Sequence, residues 1–416
     1  MTAATHEEIY KRGAAAPSGA MVGVGAVLSV LGMGLFAFLA GGDDPGRAWR
    51  IFHVDFVFFT GIAMGAVIFA AIQKVVRGKW AGPIIRLAEA AVAFLPVALV
   101  LFLLLFLGRD HLFPWIEHPT PVRGNWLTVT WVFWRDFLGL LVLFSVAIAF
   151  VYHDLRPDVS KLRGEVNGWK LRLYEMVAGS YDDSEAHREL NDRRIYRLAP
   201  WLILLYAYLF SLIGFDLIMS LAPYWISNLF GAYYFMGSFL TGLTMLGLMT
   251  VYWRAKLQLH EIVGEKIFHD LGKLIFGFTM FWAYLVYSQF LVIWYGNLAE
   301  ETSFLFYRLW GEWRPVGLLV GILVFLVPFC GLIWVKSKIT PFTFTLFVTI
   351  SLFGMWLERY LLVQPSLTEM GPAFGLVEFG VTAGFLGLFL LSYGLFARAF
   401  PMVSPRLSQK ALHSIH

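Results

Sequence analysis

Ten long segments of this 416-residue sequence are almost free of charge. Each has about 20 or more mostly apolar residues, the length that an α-helix needs to cross ~30 Å of hydrocarbon at about 1.5 Å per residue. Charged residues make up 14% of the chain, whereas a soluble domain has about 25%. We therefore predict an all-α membrane protein with ten transmembrane helices. The predicted spans are residues 18–40, 49–72, 84–107, 126–152, 197–221, 230–254, 270–295, 314–335, 340–363 and 373–399.

Most of the 32 Lys and Arg residues lie in one set of alternating loops, and the positive-inside rule places those loops and both termini in the cytoplasm. The net charge of +4 is then a sign of membrane topology, and no nucleic-acid partner is expected. Lys11 and Arg12 precede an apolar run that is long enough to remain as the first span. The predicted divisions are a cytoplasmic N-terminal segment 1–17, spans 1–4 over 18–152, a cytoplasmic amphipathic loop 153–199, spans 5–10 over 197–399 and a cytoplasmic tail 400–416.

Two pairs of short segments suggest an internal repeat. Residues 58–64 of span 2 resemble residues 239–245 of span 6, and residues 211–215 of span 5 resemble residues 351–355 of span 9. Both pairs join helices four spans apart, which have the same orientation. This pattern predicts two four-helix bundles, spans 2–5 and spans 6–9, related by an axis along the membrane normal. Spans 1 and 10 would be peripheral.

The sequence offers few ligands for a redox centre. Cys330 is the single cysteine, so the chain can form no internal disulfide and has no cysteine cluster for iron–sulfur or zinc. A haem held by two histidines needs a facing pair inside the bundle, and only His53 lies at a useful depth. We therefore expect this chain to bind no cofactor of its own, with a quinone as a candidate ligand.

Ionisable residues inside the predicted spans are the main functional clue, since each costs ~2.5–3.5 kcal/mol at a helix centre. One interpretation is a set of ion pairs, in which Arg135 and Arg359 each neutralise a carboxylate of a neighbouring helix. Glu358 and Lys273 are further candidates for such pairs. The other interpretation is a proton route, because acids outnumber bases. Its candidate carboxylates are Asp55, Glu89, Asp136, Asp216 and Glu378. The acids are denser on the outer side, whereas Glu89 and Lys273 stand alone near the inner side, which predicts two partial access paths with a gap between them.

Span 7 carries a polar stripe. Tyr284, Ser288 and Tyr295 share one helical face, with Tyr287 beside them. Hydrogen bonding between helices is one explanation. The alternative is a hydroxyl relay for protons or part of a pocket for a quinone head, and it includes Tyr284, Tyr287 and Ser288.

Three functions remain open on these residues: a proton-conducting respiratory subunit, a stand-alone secondary transporter and a structural membrane anchor. Transporters usually have helices broken by Gly or Pro at corresponding places of the two repeats. Pro96 and Pro328 lie in spans 3 and 8, which are not repeat mates, and this favours the respiratory subunit over the transporter.

The stretch SQFLVIWYGNLAEET at residues 288–302 resembles the end of span 7 in the second, shorter NrfD-like membrane subunit of bacterial alternative complex III. The ten-span layout, the sequence FHVDF at 52–56 and the sequence WLERY at 356–360 resemble the same family. The resemblance covers nearly the whole chain, and residues 288–302 are its most specific part.

This resemblance implies a subunit of a quinol oxidoreductase in the bacterial inner membrane that is not catalytic alone. Quinol would be oxidised near the periplasmic face, and electrons would pass through iron–sulfur clusters and c-type haems of partner subunits. The implied partners are a larger NrfD-like paralogue, an iron–sulfur subunit, c-type cytochromes and lipids. Asp55, Glu89, Asp136 and Asp216 would then serve the proton route, and His53 would be the remnant of a quinone-side histidine.

Overall fold

The structure, a computed structural model, describes residue 13 and residues 16–119, 124–368, 370–404 and 406–408. Over this part of the chain it is all-α, with ten helices that are long and apolar enough to cross a membrane. The predicted fold class and span count are therefore confirmed. The ten helices are α1 (Gly19–Ala40), α2 (Pro45–Val75), α3 (Gly82–Leu112), α4 (Val129–Glu165), α5 (Glu185–Leu221), α6 (Phe230–Lys256), α7 (Glu265–Gly296), α8 (Gly311–Leu332), α9 (Pro341–Ser366) and α10 (Leu376–Ala399).

Helices are the expected solution because hydrocarbon offers no hydrogen-bond partners, and a helix satisfies its own backbone groups. Two helices extend beyond the predicted spans into the polar segment 153–199. Helix α4 continues to Glu165, and α5 begins at Glu185, with Pro200 inside the helix instead of at its start. A short helix between them, Trp169–Ala178, is called the loop helix here. In the first turns of α5, Arg193 contacts Glu189, four residues earlier, at 2.7 Å.

The spanning helices pack as two four-helix groups. Helices α2–α5 contact one another in the first group, and α6–α9 do so in the second. The contacts between the groups are reciprocal: α2 packs on α6, and α9 packs on α2 as α5 packs on α6. A two-fold axis along the membrane normal produces this pattern. Helices α1 and α10 pack along each other at the side, against α2.

Close crossings of the helices occur at glycine. A Cβ atom on Gly242 of α6 would lie 2.3 Å from the carbonyl carbon of Gly65 in α2. A Cβ atom on Gly384 of α10 would lie 2.8 Å from the same atom of Gly32 in α1. Small residues at helix crossings let backbones approach and supply much of the packing energy in lipid.

Both ends of the described chain lie on one face. The backbone N–H of Met402 donates to the carbonyl of Gly13 at 3.2 Å, as expected for an even number of spans. We call this the termini face and the opposite side the far face. The cytoplasmic placement of the termini stays a prediction. Lys11, Arg12 and Lys410, three of the basic residues on which it rests, lie outside the described residues. A second short helix, Ala299–Leu309, lies between α7 and α8 on the far face and is called the cap helix.

Candidate functional site

Arg135 and Asp216 form an ion pair between α4 and α5 in the far half of the molecule. The Nη2 atom of Arg135 lies 2.7 Å from Oδ2 of Asp216, and the Nε–H donates to the same oxygen at 2.7 Å. The indole N–H of Trp126 donates to Oδ1 at 2.9 Å, and the guanidinium carbon lies 3.9 Å from the centre of the indole ring. Arg135 thus has the partner on a neighbouring helix that the sequence predicts.

Asp216 lies where α5 departs from regular α-helix. Residues Gly214–Ile218 form a π-helical turn, and the hydroxyl of Ser220 donates to the Asp216 carbonyl at 2.5 Å. A π turn inserts one residue into a helix and is frequently found at functional sites. The irregular turn therefore places the carboxylate towards α4 at the cost of regular backbone pairing.

Asp136, the next residue after Arg135, brings a second carboxyl group to the same place. Its carboxyl lies within hydrogen-bonding range of Asp216, and among the described residues neither of its oxygens has a hydrogen-bond donor. Two carboxylates in contact cannot both ionise easily, so such pairs hold a shared proton. With Arg135 as the one cation, Asp136 and Asp216 together form a site that can keep and release a proton. We call these three residues the carboxyl pair site.

Asp55 lies apart from this site, on the other side of α2. Its carboxylate accepts hydrogen bonds from the Trp356 indole N–H at 2.9 Å and from the Thr382 hydroxyl at 2.9 and 3.0 Å. No Lys, Arg or His of the described chain forms an ion pair with it. His53, two residues earlier, faces Phe113 instead, with ring centres 6.0 Å apart. His53 and Asp55 therefore do not share one pocket. Residues two apart on a helix point to different faces.

Glu358 and Arg359 form an ion pair within α9, at 2.9 Å. The Tyr233 hydroxyl donates to the Glu358 carboxylate. The Arg359 guanidinium donates to the Tyr234 carbonyl at 3.3 Å and to the Ser238 hydroxyl at 3.4 Å. The prediction that Arg359 neutralises a carboxylate of a neighbouring helix is thus wrong. Its partner is the adjacent residue, and its contact with α6 is made through neutral oxygens.

Glu378, a candidate for the proton route, is held in an ion pair by Arg47. The Nε and Nη2 atoms of Arg47 donate to the two carboxylate oxygens at 2.8 and 2.9 Å. This bidentate geometry is the strong form of the interaction. It joins the start of α2 to the start of α10 near the far face. Glu378 is therefore not a surplus acid. Its assignment to the proton route depended on the excess of acids over bases in the spans, and Arg47 removes Glu378 from that excess.

Glu89 does not stand alone near the termini face, contrary to the sequence-based expectation. The fully buried guanidinium of Arg86 donates to Glu89 at 2.6 Å, to Asp158 at 2.8 Å and to the carbonyl of Asp154 at 3.1 Å. Glu89 also directly precedes a 3₁₀-helical stretch, Ala90–Phe94, in α3. These side chains join α3 to the lower part of α4.

Two further cations complete this cluster around Asp154. Lys74, at the end of α2, lies 2.6 Å from its carboxylate, and Arg406, after α10, lies 2.7 Å from it. Three acids (Glu89, Asp154, Asp158) therefore meet three bases (Lys74, Arg86, Arg406), and we call these six residues the inner cluster. Arg406 also contacts Asp192 of α5 at 3.3 Å, so these charges join the helices to the segment after α10 at the termini face.

Lys273, the other expected inner group, lies at the surface. It pairs with Asp270 at 2.8 Å, one turn earlier in α7, and its side chain is 56% exposed. The predicted gap between the outer and inner groups is present along α2. From Asp55 to Lys74 is 19 residues, or about 28 Å of helix, and the side chains between them are almost all apolar and buried.

The hydroxyl stripe of α7 faces outward. Tyr284 and Tyr287 are 61% and 60% exposed, and Ser288 is half-buried. Tyr284 and Tyr287 therefore lie outside the interior of this chain, and their role in a hydroxyl relay or a quinone pocket stays a prediction. They belong to the surface that meets lipid or a partner, and Tyr287 lies at the rim of a cavity.

That cavity has a volume of about 500 Å³ and lies in the far half of the second bundle, between α6, α7, α8, α9 and the cap helix. Aromatic and aliphatic side chains form most of its wall, with Phe230, Trp282 and Phe325 among the aromatic ones. Glu358 and Arg308 also line it. We call it the aromatic cavity. Its volume is within the ~300–1,000 Å³ that is usual for small-molecule sites.

Arg47, Arg86 and Arg308 are the important residues that sequence reasoning missed. Arg86 and Glu89 are three residues apart, which places them on one helix face, so this pair was detectable. Arg47 and Glu378 are separated by 331 positions, and no local pattern joins them. Over the described part of the chain, no group of three or more His, Cys, Asp or Glu residues is arranged to hold a metal ion.

No protein-family model matches this chain, and no curated protein matches it significantly.

Proposed function

We propose that this chain is a proton-handling membrane subunit of a quinol-oxidising complex similar to bacterial alternative complex III. The observation that carries the proposal is the carboxyl pair site, where Asp136 and Asp216 meet in the far half of the molecule with Arg135 as their cation. A structural anchor has no need for a second carboxyl beside a pair that is already neutral, because burying it is costly.

The chemistry of the site suits proton storage. Arg135 keeps one of the two carboxylates ionised. The other carboxyl is neutral while it holds a proton, so the site then contains no second buried negative charge. Trp126, which donates to Asp216, is 46% exposed, so the site lies close to the far surface. Protons would exchange there with the far side, where the resemblance expects quinol to be oxidised.

The remaining acids have different proposed roles. Asp55 is the second proton candidate, because it accepts hydrogen bonds but lacks a cation. Glu89 would exchange protons with the termini side through the inner cluster. The apolar stretch of about 28 Å between them means that transfer across the whole membrane requires a change in conformation or a path through a neighbouring subunit.

In this proposal the redox chemistry belongs to other chains of a complex in the bacterial inner membrane. Iron–sulfur clusters and c-type haems would lie on partner subunits, and a larger NrfD-like paralogue would lie beside this chain. The outward aromatic side chains of α7, such as Tyr284, Trp294 and Tyr295, supply a large surface for such contacts or for lipid. His53 is the candidate on the quinone side.

The test is proton movement in vesicles reconstituted with the whole complex. Asp136→Asn should lower the number of protons moved per electron, while quinol oxidation persists in part, because Arg135 and Asp216 keep their ion pair. Glu189→Gln, at an exposed position in the first turns of α5, is the control and should leave both values unchanged. Asp136→Glu, which keeps the carboxyl, should restore most of the proton movement.

Unchanged proton stoichiometry in Asp136→Asn would support the structural-anchor alternative instead. That alternative draws on the four acids that each have an arginine partner: Glu89, Asp216, Glu358 and Glu378. Migration of the native protein on a gel tests the transporter alternative. A free monomer would favour a transporter, whereas co-migration with cytochrome and iron–sulfur subunits favours the proposal.

A further inference from the structure

Arg308 is a buried cation without a carboxylate. Its side chain lies in the cap helix and the residue is 5% exposed. The guanidinium donates to the Phe304 carbonyl at 3.0 Å, to the Leu362 carbonyl at 2.7 Å and to the Ser366 hydroxyl at 2.7 Å. All three acceptors are neutral, and its Nε–H has no acceptor in the described chain. The positive charge is thus hydrogen-bonded but not neutralised.

This arrangement is unfavourable for the free protein. Burial lowers the pKa of Arg308 to about 9, far below the usual value of a guanidinium. A buried charge is normally matched by an opposite charge, and each of the other deeply buried arginines, Arg86 and Arg359, has a carboxylate within 2.9 Å. Among the described residues, Glu312 and Glu358 line the two cavities beside Arg308, but the hydrogen bonds of its guanidinium go to neutral oxygens alone.

Space for an anion with an apolar body exists beside Arg308. The aromatic cavity lies on one side of it, and a second cavity of about 760 Å³ lies on the other, at the far surface. Trp225, Phe304 and Arg308 line both cavities. The rings of Trp225 and Phe304 stack at 3.6 Å, and the guanidinium carbon lies 3.5 Å from the Phe304 ring centre. Arg308 is therefore at the boundary between the two spaces.

Exposed aromatic residues mark the expected headgroup level on the far side. Trp294 lies near the end of α7, and Tyr307 and Trp310 are close to Arg308 in sequence at the end of the cap helix. From there the aromatic cavity extends towards Glu358, one helical turn below Leu362. At that lower end Glu358 is already matched by Arg359 and Tyr233, so only the upper end needs a charge from outside.

We propose that the aromatic cavity binds an anionic phospholipid, with its phosphate at Arg308 and an acyl chain between α7 and α8. The π-helical turn of α8 that begins at Gly321 supplies the width: Gly321 lines the cavity, and a Cβ atom there would meet nothing within 4 Å. Tyr287 and Val286 form the exposed rim through which a chain can enter. This site is separate from the carboxyl pair site and does not depend on the proposed function.

The test is retention of defined lipids by the purified full-length chain, measured by native mass spectrometry in detergent. Phosphatidylglycerol should be retained about tenfold over phosphatidylcholine of the same chain length, because both lipids have the phosphate but the choline ammonium would bring a second cation next to the buried Arg308. Arg308→Gln should abolish the preference. Gly321→Leu should weaken the retention of phosphatidylglycerol by filling the apolar part without touching Arg308. Arg314→Gln, an exposed arginine on the same face, is the control.

Inorganic phosphate distinguishes a lipid from a free anion. Phosphate in excess should not displace phosphatidylglycerol, since the acyl chain contributes most of the buried area. Displacement by phosphate together with full retention in Gly321→Leu would mean a free-anion site and would overturn the proposal. Equal retention of both lipids by the native chain would overturn it as well. If Arg308→Gln fails to fold, Gly321→Leu decides the matter, because a Cβ atom at Gly321 meets nothing within 4 Å and the larger side chain enters the cavity that Gly321 lines.

Discussion

The guanidinium of Arg135 contacts the carboxylate of Asp216 at 2.7 Å from the adjacent helix, although its own neighbour in sequence, Asp136, is also an acid. Asp136 instead directs its carboxyl at that of Asp216. One cation therefore serves two acids that are interchangeable in charge. The proposed proton-storing role depends on this relationship. The relationship also predicts how the free energy of unfolding changes when one or both acids are removed.

Either acid should be able to replace the other as the partner of Arg135. Asp216→Asn or Asp136→Asn alone should therefore cost little, about 1 kcal/mol, since the remaining carboxyl ionises and keeps the guanidinium paired. The double variant leaves Arg135, only 17% exposed at its side chain, without an anion, and should cost about 3–5 kcal/mol. The measurement is a double-mutant cycle of thermal unfolding in detergent.

The control for this cycle combines Asp216→Asn with Asp55→Asn. Asp55 bonds to Trp356 and Thr382 on α9 and α10, so it shares no partner with Asp216, and the two changes should add. Additive values for Asp136 and Asp216 as well would show that the two carboxyls act independently, and would remove the basis for a shared proton.

The ten spans could be predicted from the sequence because each is a continuous apolar run with charges at its ends. The arrangement of two bundles could also be predicted, because the repeated segments fix which helices correspond. The faces that meet could not be predicted. A helix such as α2 is apolar on all sides, because the sides that contact lipid and the sides that contact protein both consist of apolar residues. No polar or apolar stripe therefore marks its buried face.

The candidate site shows the same limit. The buried acids were visible as costly residues inside apolar runs, but their partners depended on the tertiary structure. The sequence predicts Glu378 as a surplus acid, since Arg47 lies at the other end of the chain. It predicts a stripe that includes Tyr284 and Tyr287, but helical periodicity gives a shared face without saying what that face meets. Arg308 gave no signal, because its position is outside the spans.

The docking of residues 400–408 against the helices should depend on Arg406. Burial lowers the pKa of Arg406, but the nearby carboxylates of Asp154 and Asp158 raise it by more, so the net change is an increase. Arg406 is therefore charged at every ordinary pH. Arg406→Gln removes one of the cations around Asp154, while Lys74 remains at 2.6 Å. The helices should stay folded, but residues 400–408 should become sensitive to protease. Arg398→Gln, which is exposed, is the control. Equal cleavage of both variants would contradict the docking role.

Tyr174 of the loop helix should tolerate the loss of its hydroxyl. The ring is fully buried against Leu155 and Val159, and its hydroxyl has no partner in the described chain. Burial raises the pKa of Tyr174 to about 12. The neutral form is therefore favoured on folding, a contribution that is present below pH ~10 and is lost as the pH rises towards 12.

Tyr174→Phe should accordingly be neutral or stabilising at pH 7 and should reduce the loss of stability above pH ~10. Tyr393→Phe is the matched comparison, because that buried hydroxyl donates to the Leu87 carbonyl at 2.8 Å and its loss should cost about 1 kcal/mol. Thermal unfolding from pH 7 to 11 measures both. A clear destabilisation by Tyr174→Phe at pH 7 would mean that the hydroxyl has a partner.

The crossing of α2 and α6 should be sensitive to a single added methyl group. A Cβ on Gly242 would lie 2.3–2.7 Å from backbone atoms of Gly65 and Ala66, and backbone cannot rotate out of the way as a side chain can. Gly242→Ala should therefore separate the two bundles locally and cost about 1–3 kcal/mol. Gly277→Ala in α7 is the matched control, since a Cβ there meets nothing within 4 Å, and it should be neutral. Thermal unfolding of both variants gives the comparison, and equal midpoints would show that α2 and α6 do not cross this closely.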